Sequence, residues 1–89
     1  MVLSVICPVL NGEKYIADNI LSFFINSKPL DKELLIIDGG SNDRTTEIVI
    51  DWCQKYSNIK LIHNPHRYVP HALNIGIKES KGQFISRLD

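Results

Sequence analysis

The side chains able to do chemistry fall into three short polar stretches, residues 8–13, 38–43 and 63–71, followed by Asp89 at the far end. The first stretch offers the Asn11 amide and the Glu13 carboxylate. The second, Asp38-Gly39-Gly40-Ser41-Asn42-Asp43, is bracketed by two carboxylates. An aspartate in such a place accepts hydrogen bonds from a ligand or caps a turn or a helix start. Asp43 precedes Arg44-Thr45-Thr46-Glu47 and reads as a helix N-cap. In the third stretch, Arg67 carries the forked donors that suit a phosphate, or else stands in solvent. Asn74, just beyond it, can hydrogen-bond a ligand or brace the third stretch. His63, His66 and His71 invite a zinc reading. They straddle a strand end, a Pro-bearing loop and a helix start, and neither a cysteine nor an acid stands near enough to complete four ligands.

Alternating β-rich runs and helical-period segments must position these groups. Residues 3–7, Leu-Ser-Val-Ile-Cys, form a first strand that Pro8 and the turn pair Asn11-Gly12 stop. Ile16, Ile20, Phe23 and Phe24 make one helical stripe, ending before Pro29. Leu34-Leu35-Ile36-Ile37 is a continuous aliphatic run, as in a strand covered on both faces. A second stripe follows in Ile48, Val49, Trp52, Cys53 and Tyr56, and a third strand in residues 59–62. Pro70 suits the first turn of a third helix. Its inner face carries Ala72, Leu73, Gly76 and Ile77, and Gly82 is its C-terminal stop. Residues 83–88 form the fourth strand. The order β-α-β-α-β-α-β demands parallel strands with right-handed crossovers, an α/β fold with a Rossmann-like parallel sheet. Ligands on such sheets gather beyond the carboxyl ends of the strands. All three polar stretches and Asp89 follow strands, so they converge on that one edge.

Composition narrows the function. The chain has 89 residues, with 10 Lys and Arg against 10 Asp and Glu, and 44% hydrophobic residues. That fits a globular core rather than a disordered chain. Zero formal charge argues against a nucleic-acid partner, which calls for a basic excess. No stretch is long and apolar enough to span a bilayer, and the apolar start lacks the basic n-region of a signal peptide. The expected location is therefore cytoplasmic. Cys7 and Cys53 are too few for a disulfide framework and read as buried free thiols.

Four ordered blocks carry a resemblance. They are Ser4-Val5-Ile6-Cys7-Pro8-Val9-Leu10-Asn11-Gly12-Glu13, Leu35-Ile36-Ile37-Asp38-Gly39-Gly40-Ser41-Asn42-Asp43-Arg44-Thr45, Ala72-Leu73-Asn74-Ile75-Gly76-Ile77, and Gly82-Gln83-Phe84-Ile85-Ser86-Arg87-Leu88-Asp89. Together they resemble the family 2 glycosyltransferases, sugar-nucleotide enzymes of the GT-A fold. The blocks are similar to that family's "S-V-I-x-P-x-x-N", "V-D-D-G-S-x-D-x-T" and "A-x-N-x-G" motifs and to the strand that leads into its "D-x-D" metal motif. The wording of residues 64–74 is closest to the succinoglycan-biosynthesis-like branch.

The resemblance implies that residues 1–89 are the N-terminal nucleotide-sugar-binding portion of a longer GT-A domain, cut at the metal motif. It implies a sugar donor carried on a nucleoside diphosphate, with a UDP-sugar the leading expectation, and a polysaccharide or lipid-linked glycan as acceptor. Transfer would be an inverting displacement of the hexosyltransferase type. Pro8, Val9, Leu10, Asn11, Glu13, Asp38, Gly39, Arg67 and Asn74 are the implied nucleotide-sugar contacts. Asp89 is the implied first ligand of Mg²⁺ or Mn²⁺. The general base would lie outside these residues, so the 89-residue chain alone is expected to be inactive, and the longer protein could work at the inner face of the membrane. Gly39 stands where many members carry a second aspartate that contacts uracil, so the base contact falls to Asp38 or to backbone groups.

Other readings are a non-catalytic nucleotide-binding α/β module, a receiver-like signalling domain and a dinucleotide-dependent oxidoreductase. The receiver expects an acidic pair after strand one, where this chain has Pro8-Val9-Leu10-Asn11. The oxidoreductase expects a GxGxxG turn there, which is absent.

Overall fold

A computed structural model of the chain describes residues 2–26 and 31–88. Elements follow the order β1 (Leu3–Val9), α1 (Ile16–Asn26), β2 (Lys32–Asp38), α2 (Thr45–Lys55), β3 (Ile59–His63), α3 (Val69–Glu79) and β4 (Phe84–Arg87). The four strands form one parallel sheet in the order β3-β2-β1-β4. This is the α/β sheet expected from the sequence.

Strand order and handedness together decide which face each helix covers. The chain steps from β1 to β2 and on to β3 in one direction, so right-handed crossovers put α1 and α2 on the same face. Ile16, Ile20 and Phe23 of α1 and Val49 of α2 pack there against Val5, Cys7, Val9, Leu34 and Ile36. The return from β3 across to β4 reverses direction and puts α3 on the opposite face, where Ala72 meets Ile6, Leu35 and Ile37. β2 is buried along its whole length, as its aliphatic run requires.

Several local expectations need correction. β1 does not stop at Pro8 but continues to Val9, with Pro8 in register opposite Ile37. The Ile6 carbonyl accepts the Leu88 N–H on the β4 side. Alternate residues of a strand point the same way, so the missing N–H of Pro8 also faces that side. It lies past the last β1–β4 pair, Ile6 with Arg87, and costs no ladder bond. On α3, Ile77 is exposed and Ile75 packs toward the sheet instead. Cys7 is buried as expected, whereas Cys53 is only half-buried.

Gly82 is not the helix stop, because α3 ends at Glu79 with Ser80 as its cap. Gly82 serves close approach. A Cβ there would stand 2.6 Å from the Ser4 backbone nitrogen. Its N–H donates to Ser4 Oγ at 2.8 Å, and Ser4 Oγ donates to Glu33 Oε2 at 2.6 Å. The Lys81 N–H donates to the same carboxylate oxygen at 2.7 Å. The buried Glu33 side chain thereby ties the start of β4 to β1.

Gly82→Ala forces a Cβ against the Ser4 backbone, and overpacking of this kind costs about 1–3 kcal/mol. A urea titration should show the midpoint falling with the slope unchanged. An unaltered midpoint would mean that the turn before β4 is not pressed against Ser4.

Candidate functional site

Three loops emerge at the carboxyl edge of the sheet, after β1, β2 and β3, and enclose a cavity of about 160 Å³. Its walls include Pro8 and Val9 from the end of β1, Leu10 from the first loop, Gly39 from the second, and Asn64 and Arg67 from the third, with Tyr15 and Ala72 from flanking segments. The surface is about half polar and half apolar, so a ligand there can both pack and hydrogen-bond. The volume suits one ring system rather than a whole sugar nucleotide.

Of the residues singled out in the sequence, Pro8, Val9, Leu10, Gly39 and Arg67 come together around this cavity. Asn11, Glu13, Asp38 and Asn74 are not part of its lining. Asp38 is buried and turned inward. Its Oδ2 accepts the N–H groups of Gly40 and Ser41, each at 3.0 Å, and its Oδ1 accepts the Ser41 hydroxyl. It closes the β2 turn, which Gly40 completes at a φ of 97° that only glycine adopts freely. The Asn11 side chain accepts the Asn42 N–H at 2.9 Å, and Glu13 uses its backbone N–H toward Asp43 Oδ2 at 3.2 Å. Asn74 is exposed on α3. Asp89 lies outside the described residues.

Gly39 sits under the third loop. A Cβ at this position would stand 3.2 Å from the Arg67 carbonyl oxygen and 3.3 Å from its Cα. Arg67 itself is left-handed, at a φ of 67°. The absence of a side chain at residue 39 is thus matched by the backbone that crosses above it. Asn64 holds that backbone in place and is almost fully buried. Its Nδ2 donates to the Tyr68 carbonyl at 3.1 Å, its Oδ1 accepts the His66 N–H at 3.0 Å, and its own N–H donates to the Asp38 carbonyl at 2.7 Å.

Sequence reasoning missed Tyr15 and Asn64. For Asn64 the Asn64-Pro65 pair was a usable turn signal. For Tyr15 the signal was weaker, an aromatic three residues after a glycine. A Cβ on Gly12 would stand 2.6 Å from the Tyr15 ring, so the ring lies directly on the glycine. Burial raises the Tyr15 pKa above its ordinary value, and nearby Cys7 and Asp43 add to the rise. Among the described residues no group of three or more His, Cys, Asp or Glu side chains could hold a metal ion. His66 and His71 stack with ring centroids 4.5 Å apart.

Asp43 is not the N-cap of α2, as its place in the sequence had suggested: that position is Arg44, which makes no side-chain cap bond, and Asp43 stands one residue before it. Its Oδ1 accepts both the N–H of Thr45, at 2.9 Å, and the Thr45 hydroxyl, while Oδ2 reaches Glu13 across the gap. Desolvation works to raise its pKa, but the Thr45 hydroxyl and N–H and the Glu13 N–H outweigh it and hold the carboxyl below its ordinary value.

Residues 4–89 match the family model described as Glycosyl transferase family 2. An uncharacterized glycosyltransferase of Haemophilus influenzae is 38% identical over 88 residues, covering 98% of this chain and 35% of that protein. In Methanococcus voltae, a dolichyl N-acetyl-alpha-D-glucosaminyl phosphate 3-beta-D-2,3-diacetamido-2,3-dideoxy-beta-D-glucuronosyltransferase is 36% identical over 85 residues. The match covers 92% of this chain and 26% of that protein. Among solved structures, S. aureus TarS 1-349 superposes with a TM-score of 0.88 and 29% identity, over 100% of this chain and 27% of that one. The same portion of TarS in complex with UDP-GlcNAc gives a TM-score of 0.82. This chain therefore spans about a third or less of the length of these relatives.

The Asp43 bonds set a pH dependence. A folded-state pKa below the ordinary 3.8 means that the carboxylate contributes stability above that pH and loses it as pH falls through the folded value. Asp43→Asn keeps an acceptor but not the charge. In acid titrations followed by circular dichroism, the variant should lose less stability than wild type below about pH 4. Superimposable acid limbs would show that these bonds favour neither protonation state.

Proposed function

This chain belongs to glycosyl transferase family 2, and from that premise we propose that residues 1–89 form the nucleotide-sugar-binding portion of a hexosyltransferase. It would move a sugar from a nucleoside-diphosphate donor to a polysaccharide or lipid-linked glycan by an inverting displacement. One observation carries the reading: the cavity at the carboxyl edge of the sheet, built from Pro8, Val9 and Leu10, Gly39 and Arg67. In doubly wound sheets that edge is where nucleotides bind.

Pro8, Val9 and Leu10 present a dry wall to the base, and Gly39 lets the third loop close over it. Arg67 lines the cavity and is exposed, so its guanidinium can donate to a base carbonyl or a phosphate oxygen. Asp38 contributes through the shape of its turn, since its carboxylate already receives three internal donors. The solved TarS complex with UDP-GlcNAc supports a UDP-sugar as donor. The dolichyl-phosphate chemistry in the name of the M. voltae relative supports a lipid-linked acceptor, which would bring the longer protein to the inner face of the membrane. No helix among the described residues is long and apolar enough to cross a membrane.

A divalent ion, Mg²⁺ or Mn²⁺, would fall to Asp89 and to oxygen ligands elsewhere in the longer protein. The described residues do not by themselves fit a metal ion. They bind the nucleoside, orient it and exclude water.

Calorimetric titration of the chain with UDP and GDP, each with and without Mn²⁺, tests this reading. UDP should bind with little change on adding Mn²⁺. Arg67→Ala should weaken binding about tenfold, which is about 1.4 kcal/mol. A folded chain that binds neither nucleotide would count against the cavity as a nucleoside site.

A further inference from the structure

Between the first two loops lie two hydrogen-bond chains of the same design. In one, the Asp38 carboxylate receives the Ser41 hydroxyl, and that hydroxyl in turn accepts the Asn11 N–H at 2.8 Å. In the other, the Asp43 carboxylate receives the Thr45 hydroxyl, which accepts the Gly12 N–H at 2.8 Å. A hydroxyl that gives its only proton to a carboxylate has only acceptor capacity left, so it can meet nothing but a donor. The donors it meets are consecutive backbone N–H groups of the first loop.

We infer that Ser41 and Thr45 are positioning residues of the nucleoside cavity, each a hydroxyl oriented by its own carboxylate to fix one amide of the first loop. The inference rests on the nucleotide reading above for its ligand, but its geometry stands apart from it. Asn11 is left-handed, at a φ of 54°. That conformation is held from both sides, by its N–H on Ser41 and by its side chain under the Asn42 N–H. Gly12 is gripped as firmly. Its N–H goes to Thr45, while its carbonyl accepts the N–H groups of Tyr15 and Ile16 at 3.0 and 2.9 Å, which starts α1. Leu10 precedes this pair and Tyr15 lies on Gly12, and both line the cavity. Thr45 is fully buried, so water does not substitute for its hydroxyl. Neither Ser41 nor Thr45 lines the cavity, so each acts through the loop it fixes.

Thr45→Val removes the hydroxyl at constant shape, and Thr45→Ser restores it. Amide hydrogen exchange by NMR on the free chain reads the loop, and UDP calorimetry scaled to the folded fraction reads the cavity. In Thr45→Val the Gly12 amide should exchange at least tenfold faster and UDP should bind about tenfold more weakly. In Thr45→Ser both should stay within about twofold of wild type. A purely structural threonine would lower the melting temperature and leave the affinity of the folded fraction alone, and that result overturns the inference. So would Thr45→Ser behaving like Thr45→Val. Should Thr45→Val fail to fold, Ser41→Ala decides. Faster exchange at Asn11 with weaker UDP binding sustains the inference, and unchanged exchange or unchanged affinity overturns it. If wild type binds no UDP, the nucleotide reading fails and the inferred effect on affinity fails with it. The exchange comparison would still decide whether the hydroxyls fix the loop.

Discussion

Parallel pairing of β1 with β2, in continuous register from Leu3 opposite Lys32 to Val9 opposite Asp38, is the constraint on which the site rests. Two parallel strands must release their loops at the same end, and seven paired residues bring both strands to that end at the same height. The final pair is immediately useful. Val9 opens the first loop, Asp38 opens the second, and the Gly39 N–H crosses to the Val9 carbonyl at 2.9 Å. Every later contact between the loops starts from this junction. β3 joins the same register, pairing His63 with Asp38, so the third loop rises beside the other two.

Much of this was legible because its cause is local. The unbroken Leu34–Ile37 run announces a strand covered on both faces, and β2 is buried throughout. Alternation of strands and helices fixes parallel order, and parallel order puts the polar stretches on one edge. What escaped depends on contacts between segments distant in sequence. Asn64 looks like any loop asparagine until the Asp38 carbonyl takes its N–H; Tyr15 is local by contrast, still exposed and with its ring on Gly12 three residues back. Asn74 and Glu13 have types that suit a ligand, yet neither lines the cavity, Asn74 being exposed on α3 and Glu13 lying in the first loop. Pro8 misled for a subtler reason. A proline stops a strand only where a neighbour needs its N–H, and here none does.

The glycines divide by mechanism. Gly40 is needed for its left-handed backbone. Gly39 and Gly82 are needed for the absence of a side chain, one under the Arg67 backbone and the other against Ser4. The two close approaches lie at opposite ends of the sheet. The one at Gly82 anchors β4 through Glu33 and Ser4, and the one at Gly39 lets the third loop close over the cavity. Buried carboxylates serve both ends in the same way, Asp38 at one and Glu33 at the other, each with its oxygens turned to internal N–H and hydroxyl donors.

Pro8 has one further consequence. Its nitrogen faces the β4 side and has no proton to give, so β1 can donate no bond there, while the Pro8 carbonyl keeps its acceptor capacity. The proline leaves this side of β1 one donor short at the level where the cavity opens. A single pyrrolidine ring, placed in an inner strand, thus turns the last stretch of β1 into an acceptor-only partner on its β4 side.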